Sequence, residues 1–305
     1  MDAITEEVKS LYSQYPFPNS DYQLSYILKI LHYFARLPAP AGKSSFFEGA
    51  AVLDAGCGTG TTITLIARLQ PKAEALGVDL TPASLAIAET NRQKLGLANL
   101  GFREGNILDM DLGKKFDVIL SLGVLHHLAD MAAGLKNLAR HLKDEGVLLL
   151  WLYGKHGRQR LNLNQRFFRV LLQGEPALAK KVRLAKEMLS SFPRELMECR
   201  FNLPESAKEN DFKAALDYVL KNDAWLVDQF LHVNEQTLAI EDVLALLDQA
   251  GLVLDEWIGA GTLSAYTQNP ELLALFEKLS PRDKLIAMDL LLKPSHYVVA
   301  ARKRR

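Results

Sequence analysis

Val52-Leu53-Asp54-Ala55-Gly56-Cys57-Gly58-Thr59-Gly60 is a short apolar run that stops on a carboxylate and opens into a turn with glycine at every second position. A buried strand that ends in such a turn and continues as a helix, here Thr61 to Leu69, lets a ligand lie against bare backbone. A nucleotide-like cofactor is therefore expected at this turn. A dinucleotide turn needs G-x-G-x-x-G, its third glycine letting the helix pack closely beside a pyrophosphate. Thr61 takes that third place, which argues against NAD or FAD. Asp54 argues the same way, because a carboxylate repels a pyrophosphate and suits a cationic amino group.

Further segments follow in order. Glu74 to Leu80 reads as a second buried strand whose acid, Asp79, stands about 20 residues past the glycines, the separation of a carboxylate that holds ribose hydroxyls. Thr81 as N-cap and Pro82 as first helical residue begin a helix that Gly96 stops, with Leu97 behind it. Phe102 to Asp109 contains Gly105-Asn106-Ile107, and Phe116 to Ser121 is a fourth strand running into Leu122-Gly123-Val124-Leu125-His126-His127-Leu128. Gly146 to Tyr153 reads as a fifth strand, nearly all apolar. Strand and helix patterns alternate from Ala50 to Tyr153, which gives a parallel sheet by the right-handed crossover rule.

These ordered motifs resemble the class I S-adenosylmethionine-dependent methyltransferases of the type 11/12-like group. The resemblance implies a Rossmann-like α/β core with strand order 3-2-1-4-5-7-6 and S-adenosyl-L-methionine as cofactor. It implies cofactor contacts from Asp54, Gly56, Cys57, Gly58 and Gly60, from Asp79 and Leu80, and from Ser121. It sets Asn106 and Ile107 against the edge and face of adenine. The helix Glu241 to Gly251 leads into a strand, Leu252 to Ile258, which with a last strand, His296 to Ala301, forms the antiparallel edge that the resemblance implies.

With 305 residues, 49% of them hydrophobic, the chain can bury one large core and carry a smaller lobe. Its 36 basic and 36 acidic residues cancel, so no bulk field favours nucleic acid. The terminal Arg302-Lys303-Arg304-Arg305 is expected to be a solvated tail. The N-terminus lacks the pattern of a signal peptide, no apolar run is long enough to span a bilayer, and the two cysteines form no disulfide framework. A cytoplasmic enzyme without a membrane partner or metal site is expected, and its oligomeric state is left open.

Two segments lie outside the 48–154 and 237–305 core, and a third interrupts it between the two edge strands. Residues 1–47 are expected as an N-terminal helical lid of two helices separated by Tyr15-Pro16-Phe17-Pro18-Asn19, the second with an apolar stripe of Leu24, Ile27, Leu28, Leu31 and Phe34. Residues 155–236 are expected as a helical cap insertion for substrate, and Gly259 to Pro294 as a smaller helical excursion. Insertions after the carboxyl ends of strands cover the ligand crevice.

Methyl transfer is an in-line displacement that needs alignment and water exclusion more than a general base. His126 and His127 stand beside the expected methyl position, as a base or as packing and pocket wall. Tyr12 and Tyr15, with Phe17, read as an aromatic lid facing the sulfonium or as a hydrophobic hinge. Tyr153 and Arg158, in Tyr153-Gly154-Lys155-His156-Gly157-Arg158, read as acceptor contacts or as a strand-exit turn. With Asp228-Gln229-Phe230-Leu231-His232, this segment is locally similar to bacterial protein-lysine methyltransferases. His232 reads as a pocket residue or a packing one. Expected is methyl transfer to an oxygen or nitrogen of a small-molecule acceptor, with a protein side chain as second acceptor class. A cofactor-binding module without transfer activity is the reading of another class.

Overall fold

A computed structural model of the chain describes residues 2–18, 24–38, 42–192 and 209–304. Two N-terminal helices, α1 (Ala3–Gln14) and α2 (Leu24–Arg36), precede the alternating core. The core runs β1 (Ala51–Ala55), α3 (Thr61–Leu69), β2 (Glu74–Asp79), α4 (Pro82–Lys94), β3 (Leu100–Glu104), β4 (Phe116–Leu122), α5 (Met131–His141) and β5 (Leu142–Tyr153). The insertion holds α6 (Gln159–Leu171), α7 (Leu178–Ser191), α8 (Glu209–Lys221) and α9 (Asp223–Phe230). The chain closes with α10 (Ile240–Gln249), β6 (Leu252–Trp257), α11 (Pro270–Glu277), α12 (Pro281–Leu292) and β7 (His296–Lys303).

The seven strands form one sheet in the order β3-β2-β1-β4-β5-β7-β6, as the motifs predict. Pairings through β5 are parallel, with Val52 opposite Ala75 and Val118, whereas β7 runs antiparallel to both β5 and β6. Val52, Leu53, Val118, Ile119 and Leu120 are fully buried because helices cover both sheet faces. Each such side chain stabilises the fold by roughly 1.5–3 kcal/mol through area removed from water.

Local chemistry sets the connections. Pro82 opens α4 after Thr81, whose side chain makes no cap bond; the Thr81 N–H instead donates to Asp79. Gly96, at φ +64°, ends it in a Schellman arrangement, with Gly96 N–H on the Gln93 carbonyl and Leu97 N–H on that of Arg92. Strand β5 starts at Leu142, earlier than its apolar run suggests. Leu142 is buried opposite Phe116, and the exposed Lys143, Asp144 and Glu145 hide that pairing in the sequence. Within the basic tail Arg302 pairs with Asp255, Lys303 with Asp144 and the exposed Arg304 with Asp248, and Arg305 lies outside the described residues.

The N-terminal helices divide their packing. Ile30, Tyr33 and Phe34 of α2 join the sheet cluster of Val52, Ile63 and Val118. Leu11 of α1 instead joins Phe168, Val182, Trp225 and Phe230 of the insertion, with Tyr12, Tyr15 and Phe17 against them. Asn19, Cys199 and the side chains of Leu24 and Leu28 lie outside the described residues. Among the described residues no helix is long and apolar enough to cross a membrane.

Candidate active site

The carboxyl ends of the parallel strands meet α1 and the inserted helices around a cavity of about 410 Å³. One wall is the glycine turn. The N–H groups of Gly56 and Cys57 bond the Val78 carbonyl, which ties the end of β1 to β2. A side chain at Gly56 would strike the Val124 methyls at 2.5 Å, and one at Gly58 would strike the Phe17 carbonyl at 2.3 Å. Thr59 also donates its hydroxyl to the Pro18 carbonyl, so the Phe17-Pro18 strap lies directly on the turn. Backbone is thereby left bare to the cavity, the condition for close approach of a ligand.

Two acids face this end. Asp79 accepts the Gly58 N–H at 2.8 Å and the Thr81 N–H at 2.9 Å, one on each oxygen. Asp54 is 3% exposed; burial and the neighbouring Asp79 carboxylate push its carboxyl up to about 7. Asp79 is also raised, chiefly by burial. Neither acid has an ion-pair partner among the described residues, and Lys29 is the cation that lines the same cavity.

The opposite end belongs to the insertion. Asp228 is 3% exposed and accepts the Tyr12 hydroxyl at 2.8 Å and the Gln229 amide at 2.9 Å. Tyr12, Tyr153, Trp225 and Asp228 line the cavity together with His127. Tyr12 and Tyr153 are held well above their ordinary phenol range, both first by burial and next by the Asp228 carboxylate. Nδ1 of His127 lies 2.9 Å from the Asn234 carbonyl. That oxygen only accepts, so Nδ1 holds a proton, while Nε2 is buried without a hydrogen-bond partner. Asn234 in turn donates its amide to the His127 and Leu128 carbonyls, and its backbone N–H to Nδ1 of His232. The His127 and His232 rings stack at 3.7 Å.

Of the residues singled out from sequence, Asp54, Gly56, Cys57, Gly58, Asp79, Leu80, Asn106, Ile107 and Tyr153 line the cavity. Gly60, Ser121, Tyr15, His126 and Arg158 stand behind its wall. Gly60 is the left-handed N-cap of α3, where a side chain would meet Ala88 at 2.8 Å. Ser121 is fully buried within β4. Tyr15 packs on the insertion. His126 is sealed against the Tyr153 ring at 3.9 Å, and burial holds it neutral with a pKa well below the usual range. Arg158 is only 1% exposed because it pairs with both oxygens of Glu235 and lies 3.4 Å over the Tyr153 ring. Asp228 was the residue without a role in the sequence, although an acid inside the apolar run Ala224 to Phe230 marks a buried polar site.

Residues 46–170 match a family model described as a methyltransferase domain. An uncharacterized protein of Synechococcus sp. is 30% identical over 259 residues, 82% of this chain and 59% of that protein. A ubiquinone biosynthesis O-methyltransferase of Azorhizobium caulinodans is 30% identical over 104 residues, 34% of this chain and 40% of its own. PKMT2 of Rickettsia typhi shares the fold over 95% of this chain and 54% of that one, with TM-score 0.66 and 18% identity. Residues 46–170 are thus similar to a methyltransferase domain, and the sheet order is the one that the class I S-adenosylmethionine-dependent resemblance implies. The chain spans less than two thirds of the length of these relatives.

The residues around the cavity fit S-adenosylmethionine. Two buried carboxylates without an ion-pair partner among the described residues match a ligand that brings an ammonium group and ribose hydroxyls. Asp79 keeps acceptor capacity beyond its two backbone bonds. Ile107, Leu80 and Val124 give the same cavity an apolar surface.

Proposed function

We propose that the protein, as a cytoplasmic enzyme, transfers the methyl group of S-adenosylmethionine to an amine nitrogen of a small molecule enclosed by the inserted helices. Asp228 carries this reading: a buried carboxylate among Tyr12, Tyr153 and Trp225 favours a cationic acceptor over a neutral hydroxyl. Asp54 and the Gly56 to Gly58 backbone hold the methionine end, Asp79 and Leu80 the ribose, and Asn106 and Ile107 the adenine. When bound, the cofactor supplies an electrophilic methyl group. Asp228 receives the acceptor as an ammonium and orients it. The carboxylate of Asp228 then takes its proton, because only the neutral amine has a lone pair to attack with. Tyr12, Phe17 and Trp225 exclude water from the site.

Radiolabelled transfer to fractionated extract, with Asp228→Asn beside the native protein, tests this. Base-stable label in small amines is expected, with kcat/KM reduced about hundredfold in the variant by loss of the charge-assisted bond and with cofactor affinity unchanged. A lysine side chain presents the same ammonium, so label confined to protein would move the acceptor to that class. Base-labile ester label would overturn the nitrogen assignment, and tight cofactor binding with no labelled fraction would overturn transfer itself.

A further inference from the structure

The outward face of α6 is not explained by the cavity. This helix buries Asn164, Gln165 and Phe168, yet Leu163, Phe167, Val170 and Leu171 are 65%, 39%, 59% and 55% exposed. At 3.6 residues per turn those four fall within a sector of about 100°. Arg160 lies within the sector and Arg166 about 40° beyond its edge, whereas Arg169 lies about 100° beyond that edge, toward the buried Gln165 and His232. Phe192, itself exposed, extends the apolar surface with its ring 6.2 Å from that of Phe167.

Charge singles out the same region. Residues 155–192 hold nine Lys or Arg against two Glu, in a chain whose totals are 36 and 36. Arg158, buried on Glu235, and Lys186, paired with Asp223, account for two of that surplus of seven, so five positive charges remain. Arg166 and Arg169 have no ion-pair partner among the described residues. A second set of exposed leucines, Leu272, Leu275, Leu290 and Leu291 on α11 and α12, stands among acids and bases in similar number and lacks this bias.

We propose that the outer face of α6 docks onto an anionic lipid bilayer. Large apolar side chains interleaved with arginines on one helix match an interface where acyl chains take the former and phosphates the latter. An acidic protein would satisfy the arginines but would not by itself account for four protruding aliphatic and aromatic groups. The inner face of α6 carries Gln165, which donates to the Gln229 carbonyl at 2.8 Å and to Glu235 at 3.0 Å. Docking would hold the acceptor wall within roughly one helix diameter, about 10 Å, of the lipid.

Sedimentation of the full chain with phosphatidylcholine vesicles, with and without phosphatidylglycerol, is the test. Binding is expected only with the anionic lipid. It should fall at least about tenfold in Leu163→Asp/Val170→Asp and in Arg166→Glu, and rising salt should weaken it. Both variants should bind S-adenosylhomocysteine as the native protein does, which reports an intact fold. Absence of vesicle binding by the native protein, or equal binding by both variants, overturns the proposal. So does binding to polyglutamate without binding to vesicles, which would identify an acidic polypeptide as the partner.

Discussion

Among single residues, Asp54 makes the most direct pH prediction. Its carboxyl sits at about 7 in the fold, well above the ordinary carboxylate value of 3.8, because it is buried beside Asp79. The folded state thus holds a proton that the unfolded chain releases, and this contribution to stability is lost as pH rises from about 4 through about 7. Buried His126, His232 and His296, all lowered in pKa, act in the opposite direction and are common to native protein and variant. Melting temperatures of native protein minus Asp54→Asn should accordingly decline across that window and level off above it; a flat difference would show that Asp54 is ionised in the cofactor-free fold. Asp54 and Asp79 were legible in the sequence because their places are fixed by the strands they terminate. His126 and His127 were not separable, since a short 3-10 turn, Leu125–His127, sets which ring faces the cavity. Arg158 was misleading for a different reason: its partner Glu235 lies 77 residues away, and no local spacing reveals a pair made across an insertion.

At the level of elements, the parallel strands were readable because burial on both faces leaves near-continuous apolar runs. Strand β5 overran its reading where Lys143 to Glu145 continue it with exposed charge. Helix α1 was harder still. Its amphipathic pattern predicts a helix but not which surface it covers, and its Leu11 chose the insertion while α2 chose the sheet. The strap after α1 supplies a test at this scale. Gly58→Ala combines a left-handed backbone, φ +53°, with a collision against the Phe17 carbonyl. Gly96→Ala has φ +64° with nothing within 4 Å of the added carbon. Both should lose about 1–2 kcal/mol of stability from the backbone conformation. Only Gly58→Ala should also weaken S-adenosylhomocysteine binding in calorimetry, by at least about tenfold (about 1.4 kcal/mol). Equal affinities would mean that the strap does not shape the cofactor seat.

Across the whole molecule, one face of α1 spans both ends of the cavity. Thr5, Val8 and Tyr12, spaced i, i+3 and i+7, all line it. Lys9 of the same helix pairs with Glu104 at the end of β3 at 2.9 Å, while Tyr12 bonds Asp228 on α9. Hydrogen exchange should therefore show S-adenosylhomocysteine protecting the amides of Asp223 to Phe230, although that segment belongs to none of the motifs read as cofactor contacts. Tyr12→Phe should abolish the protection while the glycine turn stays protected. Unaltered exchange in α9 on ligand binding would show the two ends to be independent. Where they are linked, thermodynamic reciprocity sets the result: whatever factor the donor adds to affinity for the acceptor, the acceptor adds to affinity for the donor. A change in acceptor preference made through α1 then carries with it a change in donor affinity, so this helix couples two properties that natural selection would otherwise tune separately.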